Sequence, residues 1–309
     1  MANDHRAHTP PTMNLLGPGR LGQTLARLWT GAGLIELRAI AGRSDAGTRA
    51  ARDFIGAGRP VALADLQPAQ LTLIAVPDDA LAAVAAALAA GEAVAPGGIV
   101  FHCSGARSSD LLAPLRARGA ALASVHPLKS FARPELAVLD FAGTWCGCEG
   151  DPAALAVLRP LFQALGGICF DLDGSRKTLY HAGAVLACNH LTALMEAALC
   201  SMEAAGVARA NAWPALRPLI TGALENIDRL GTAGALTGPI ARGDAGTVAR
   251  QLEAFAALDA DIAAAYRLLS RLALRLALAL PPERRAALAA CLYADIPPAA
   301  GSGQTGEQA

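Results

Sequence analysis

The chain has 309 residues, 53% of them hydrophobic and 17% charged, and its 26 basic and 26 acidic side chains give a formal net charge of zero. That length holds two ordinary domains or one large one, with a sizeable core. The balanced charge speaks against a nucleic-acid binder, which usually shows a basic excess or patch.

Seven cysteines, an odd number without a Cys-x-x-Cys pair, fit reduced, buried thiols in a cytoplasmic protein. Cys146 and Cys148 alternate along a strand, which is thin ground for a metal site, so no metal is expected. The opening MANDHRAHTPPT lacks the apolar stretch of a signal peptide. No apolar run reaches the length of a membrane span without a charge; LALRLALAL is interrupted by Arg275. Residues 1–11 and 296–309 read as disordered tails.

After the first tail, MNLLGPGRLGQTLARLW runs from a short apolar strand into Gly17, Pro18, Gly19, Arg20, Leu21 and Gly22. A helix with Leu21, Leu25 and Leu28 on one face follows. This is G-x-G-x-x-G between strand and helix, where glycines allow a tight turn and bring a pyrophosphate close to the helix N-terminus. IELRAIAG reads as a second strand, LTLIAVP as a fourth and GGIVFHCSG as a fifth, with helical segments between several of them. Near-continuous apolar strands alternating with helices predict a mostly parallel, doubly wound sheet.

The end of the second strand selects the cofactor. A carboxylate there suits the ribose hydroxyls of NAD, and arginine suits a 2′-phosphate. AGRSDAGTR puts Arg43 and Ser44 at the tip, with Arg49 near, which favours NADP over NAD. A shift of one residue would offer Asp45 to NAD instead.

VPDDAL places Val76 and Pro77 beside the cofactor, and Asp78 is expected to cap the next helix. In FHCSGARSSDLL, Ser104 and Gly105 sit where a nicotinamide or substrate would lie, while Ser108 or Ser109 suits a helix cap. ALASVHPLKSF is a further strand ending at His126-Pro127, where the imidazole either touches substrate or fixes the loop. Lys129 beyond it either meets an anionic substrate or is solvated. TWCGCEG, a helix over DPAALAVLRPLFQALGG and a strand ICFDLD continue the sheet to a boundary at Gly174, so the cofactor domain spans 12–173.

From there to about residue 295 the pattern is helical: roughly 175–205, 209–230, 244–260 continuing through 280, and 282–293. Turn signals fall at Gly206, Gly231, Gly234 and Gly238-Pro239. This all-α domain, 174–295, would close an interdomain cleft over the cofactor. Its first helix carries Lys177, His181, Ala184 and Cys188 on one stripe, with Asn189 and Thr192 at the margin. Lys177 beside a carbonyl could supply a proton as hydride arrives, with His181 orienting it or binding substrate. The alternative is a lysine reaching to solvent and a histidine satisfied in packing.

Taken together, GPGRLG, AVPDDAL, HCSGARSSDLL, SVHPLKSF, GSRKTLYHAGAVLACNH and LTGPIARGD resemble a bacterial group of Rossmann-like proteins with a C-terminal helical domain, labelled NADP oxidoreductases. The resemblance covers residues 12 to 295. It places the chain in the wider superfamily of 6-phosphogluconate dehydrogenase-like enzymes, β-hydroxyacid dehydrogenases and ketopantoate reductases, pyrroline-5-carboxylate reductases and prephenate dehydrogenases among them. It implies a catalytic lysine at Lys177, with His181 standing where β-hydroxyacid dehydrogenases and ketopantoate reductases have asparagine. His126-Pro127 resembles the His-Pro near the substrate of prephenate dehydrogenases. The resemblance also implies substrate-side contacts from Thr237, Arg242 and Asp244, although Asp244 could simply cap a helix, and a homodimer built through the helical domain.

The reading that results is an NADP-dependent oxidoreductase. It would transfer hydride to or from a small, anionic 2-oxo or hydroxy acid, ketopantoate-like as a first expectation. Lys177 and His181 would be catalytic, and Ser104, His126, Asn189 and Arg242 would bind substrate. An imine reductase and a non-catalytic NADP-binding sensor are the alternatives.

Overall fold

The computed structural model describes residues 9–294; the tails read as disordered fall almost wholly outside them. The described residues divide between His190 and Leu191 into two compact units.

The first unit is built on one eight-stranded sheet with the order β3-β2-β1-β4-β5-β6-β7-β8. The strands are β1 (Thr12–Leu16), β2 (Glu36–Ala41), β3 (Arg59–Val61), β4 (Ala69–Ile74), β5 (Val94–His102), β6 (Ala121–Pro127), β7 (Trp145–Gly150) and β8 (Ile168–Asp171). Every neighbouring pair is parallel except β6 and β7, which run antiparallel with Ser124 opposite Glu149. Helices α1 (Arg20–Gly31), α2 (Asp45–Ile55), α3 (Leu81–Ala90), α4 (Pro134–Ala137) and α5 (Pro152–Ala164) connect and cover the strands. β1 lies between β2 and β4, so the winding reverses direction at β1. Open sheets of this kind take ligands at the carboxyl ends of the strands beside such a switch.

Two apolar layers account for the sheet's stability. On one face Met13, Leu15, Leu71, Leu73 and Phe101 pack with Leu25 and Trp29 of α1 and with Leu158 and Phe162 of α5. Trp29 is fully buried, meets Phe101 and Phe162 edge-on, and donates its indole N–H to the Leu161 carbonyl at 3.0 Å. The other face packs Leu16, Ile74 and Val100 against Leu81, Ala85 and Leu88 of α3.

The sheet is followed by α6 (Lys177–Ala187) and α7 (Asn189–Ala204), with a break at Cys188, which caps α6 at a φ of −119°. Against the sequence expectation, one run, Gly174–Ala204, is long and apolar enough by length and composition to cross a membrane. Among the described residues it is the only such run, and Lys177 and the break at Cys188 interrupt it.

The second unit continues with α8 (Arg209–Ala235), α9 (Gly238–Arg242), α10 (Ala245–Leu258), α11 (Ala260–Leu276) and α12 (Pro282–Tyr293). α8 is two helices joined at Gly231, where φ is +70°, in keeping with the turn signal in the sequence. Asp259 caps α11 and splits the long helical run expected through residue 280. A small core of Ile240, Val248, Leu252, Leu274, Leu288 and Leu292 holds α9 to α12. α8 contributes one buried residue, Ala212, and leaves Leu219 70% exposed, with Leu224 and Leu230 also outward.

Candidate active site

The glycine loop sits at the switch in strand order. Gly17 has φ +77°, and a Cβ there would lie 2.5 Å from Val76 Cγ1 and 2.9 Å from the Ala75 carbonyl carbon. The backbone therefore needs glycine for both its conformation and its close approach to β4. Gly17 donates to the Ala41 carbonyl at 2.8 Å and Ala75 to the Leu16 carbonyl at 2.7 Å, tying the loop to the ends of β2 and β4. Gly22 packs α1 down, with a would-be Cβ 3.0 Å from Ala75 Cβ. Gly19 begins α1 with no side-chain cap, so the N–H groups of the first turn, from exposed Arg20 and half-buried Leu21 onward, are left for an anion. Half-buried Pro18 turns its carbonyl to Gln23 Nε2 at 2.7 Å. These residues fit a dinucleotide pyrophosphate.

At the tip of β2, Arg43 is exposed. Ser44 caps α2, its hydroxyl accepting from the Gly47 N–H at 3.3 Å. Asp45, the carboxylate that would suit NAD, pairs instead with Arg49 at 3.8 Å. Beside them an open depression of about 460 Å³ is lined by Thr48, Arg49, Arg59 and Asp65 among others.

Val76 is half-buried against Gly17, and Pro77 is exposed. Asp78 does not cap α3. The Ala80 N–H closes a turn on the Pro77 carbonyl at 2.9 Å, so the helix starts only at Leu81, with no side-chain cap.

The loop after β5 is organised by a buried imidazole. His102 Nε2 meets the Ser108 carbonyl at 3.2 Å, and its Nδ1 accepts from the Ser104 N–H at 3.1 Å. Burial first, then the Lys177 charge, holds His102 neutral with a pKa of about 4. The Ser104 hydroxyl oxygen is taken up by the turn, accepting from the N–H groups of Ala106 and Arg107 at 3.2 and 3.0 Å. Ser108 caps the 3-10 turn that follows, as its sequence context suggests.

Lys177 is 1% exposed. Its ammonium donates to Ser124 Oγ at 2.5 Å and pairs with Glu149 Oε1 at 3.3 Å. Glu149 in turn accepts from the Ser109 N–H at 2.8 Å and the Ser109 hydroxyl at 2.7 Å. Burial lowers the lysine pKa, and the carboxylate opposes that shift. The ammonium is thus enclosed, not reaching to solvent. Ser124 and Glu149 were not singled out in the sequence; the one available signal is a glutamate within the apolar run WCGCEG, because a buried carboxylate requires a partner.

One turn further on α6, Tyr180 donates to or accepts from His126 Nδ1 at 2.9 Å. His126 also stacks edge-on to Tyr180 and His181, with ring centroids 5.5 and 5.7 Å away. Burial, followed by the His181 and Lys177 charges, keeps His126 neutral, with a pKa of about 4. Burial pushes the Tyr180 phenol up to about 12. His181 Nδ1 is buried without a hydrogen-bond partner. Tyr180 was read only as part of an apolar helix.

Lys129 is engaged by Asp140 at 2.9 Å. Asn189 is exposed at the start of α7. Arg242 is exposed at the end of α9 in the second unit, and Asp244 caps α10 through the Thr247 N–H at 2.9 Å. Among the described residues no three His, Cys, Asp or Glu side chains gather as a metal site.

The fold and the glycine loop define a Rossmann-like domain, and residues 8–127 match that family. Residues 144–273 match a domain of unknown function, DUF2520. Protein TM1727 from Thermotoga maritima has a similar structure, with a TM-score of 0.67 at 25% identity over 86% of this chain and 98% of that one. A proposed NADP oxidoreductase, BF3122 from Bacteroides fragilis, gives 0.71 at 19% identity over 86% and 99%. An imine reductase from Myxococcus stipitatus, solved with NADP+, gives 0.61 at 13% identity over 86% and 94%. No curated protein matches in sequence.

Proposed function

We propose that this protein is an NADP-dependent oxidoreductase acting on a C=O or C=N carbon of a small molecule. The observation that carries the reading is the glycine loop at the strand-order switch, its helix N-terminus uncapped and its Gly17 pressed against β4. The names of the similar structures, an NADP oxidoreductase and an imine reductase, support it. When bound, the nicotinamide supplies or takes a hydride.

In this reading Gly17 to Gly22, Val76 and Pro77 hold the dinucleotide, and Arg43, with Ser44, receives the 2′-phosphate in preference to NAD. Ser104, His126 and His181 line the substrate side, with Asn189 as a further contact. Lys177 acts from behind them. Its charge, balanced by Glu149, fixes Ser124, so Lys177 serves by positioning this network instead of by direct contact. That balance also leaves Lys177 without a free charge for a carboxylate, which sets an imine or uncharged carbonyl beside the ketopantoate-like acid. The outward leucines of α6 and α8, Leu179 at 77% exposure among them, are proposed to be covered in a homodimer, and the disulfide-free cysteines suit the cytoplasm.

The test is NADPH oxidation followed by absorbance against 2-oxo acids, simple ketones and a cyclic imine, with NADPH binding measured separately. Turnover on any member supports the reading. Binding without turnover across the panel favours the sensor.

A further inference from the structure

Three elements bring ring nitrogens to one place. β6 carries His126 one residue before its end, the start of α6 carries Tyr180 and His181, and the loop after β5 lies against both imidazoles at Gly105. A Cβ on Gly105 would lie 2.5 Å from His181 Nδ1 and 2.7 Å from His126 Nε2. The two nitrogens, from different elements, therefore lie together against the Gly105 backbone, where there is no room for a side chain. Neither has a protein partner: His126 uses Nδ1 for Tyr180, and His181 Nδ1 is buried and unbonded. A buried polar atom left unpaired costs about 1–3 kcal/mol, so the unmet nitrogen calls for a partner that the protein itself does not supply.

We propose that Tyr180 and His126 form the proton relay of the reductase, with His126 Nε2 delivering the proton to the oxygen of an uncharged carbonyl and His181 Nδ1 as that oxygen's second contact. The inference rests on the oxidoreductase reading and deepens it by assigning the proton source and the substrate class.

The chemistry balances as follows. With the nicotinamide bound, its hydride would reach the carbonyl carbon, and the C=O π pair would move onto oxygen. The oxygen takes the proton from His126 Nε2, while His126 Nδ1 takes the proton of the Tyr180 hydroxyl 2.9 Å away, leaving a phenolate that solvent reprotonates. The imidazole ends neutral with its proton moved from one nitrogen to the other.

The surroundings fit this path. With its pKa held at about 4, His126 carries no spare proton at neutral pH. Tyr180, at about 12, is a phenol there and is still far more acidic than an alcohol, so transfer to the developing alkoxide runs downhill. The charged and titratable groups around His126 are Tyr180, His181 and Lys177, and Lys177 is turned to Ser124 and Glu149. A protonated imine, which becomes neutral on taking hydride, needs no such donor. The relay is therefore built for carbonyl reduction.

The experiment compares wild type, Tyr180→Phe and His126→Asn in NADPH oxidation on simple ketones and on a cyclic iminium, together with ¹⁵N NMR of the histidine rings. The expected result is a loss of about 10²-fold or more in kcat on ketones for Tyr180→Phe, with the iminium rate and NADPH affinity within a few fold of wild type. In NMR, His126 in wild type carries its proton on Nε2, and Tyr180→Phe redistributes it. Ketone turnover that survives Tyr180→Phe, a fall of ketone and iminium rates together, or an Nδ1-protonated His126 in wild type overturns the relay alone. Wild type that binds NADPH and reduces nothing overturns the oxidoreductase reading and the relay with it.

Discussion

Consider the double-mutant cycle of Lys177→Met and Glu149→Gln. Both side chains are buried, 3.3 Å apart, and each also holds a neighbour: Lys177 bonds Ser124, and Glu149 takes both donors of Ser109. Lys177→Met keeps the shape of the stem and leaves a buried carboxylate with no counter-ion. Glu149→Gln keeps the acceptor for Ser109 and leaves a buried ammonium uncompensated. Breaking one partner of a buried pair costs about 3–5 kcal/mol, a large share of the 5–15 kcal/mol by which domains are typically stable. Replacing both removes the charge problem altogether, and the double variant is expected within about 1 kcal/mol of wild type, since a buried pair is often no better than its uncharged replacement. Urea unfolding at pH 7 measures all four proteins, with unchanged m-values confirming that the same transition is compared. If the double variant lost the sum of the two single losses, the charges would not be coupled. The account of why Lys177 tolerates burial would then fall.

Three further outcomes follow from other parts of the site. Gly17→Ala forces a side chain onto a φ of +77° and into the Ala75 backbone, and should weaken NADPH binding at least about tenfold by calorimetry; unchanged affinity would remove the loop from the cofactor site. Arg43→Ala should weaken NADPH far more than NADH, and equal losses would mean that Arg43 does not read the 2′-phosphate. His102 is neutral in the fold down to about pH 4 against its ordinary 6.5, so the unfolded chain binds the extra proton first as pH falls. Stability contributed by this group is present above pH 6.5 and drains by about 3 kcal/mol on descent to pH 4; a His102→Asn variant with the same pH slope as wild type would contradict this.

What the sequence made legible is what local pattern can carry. The glycine loop announces itself because strand, turn and helix follow in consecutive residues, and the apolar strands announce a parallel sheet because both faces must be covered. Ser108 and Asp244 cap helices as their side-chain chemistry suggests. Asp78 misled because a cap is judged by spacing, and here a turn closed on Pro77 delays the helix by two residues. The partners of Lys177 were invisible for another reason. Glu149 and Ser124 meet only because β7 turns antiparallel to β6, a pairing that no periodicity in either segment encodes. The Tyr180–His126 bond likewise spans 54 residues. Local pattern singles out the lysine and the two histidines as candidates; the network that joins them is tertiary.

The tryptophans give the molecule an unplanned set of optical reporters. Trp29 is fully buried against Phe101 and Phe162, with its indole N–H tied to α5, whereas Trp145 and Trp213 are 54% and 45% exposed. Emission from Trp29 should be blue-shifted and that of the other two closer to the colour of the free indole. Trp213 belongs to the helical unit and Trp29 to the sheet unit. A single unfolding experiment read across the emission spectrum would thus follow the sheet core at its blue edge, and quenching by a soluble agent would silence Trp145 and Trp213 before Trp29.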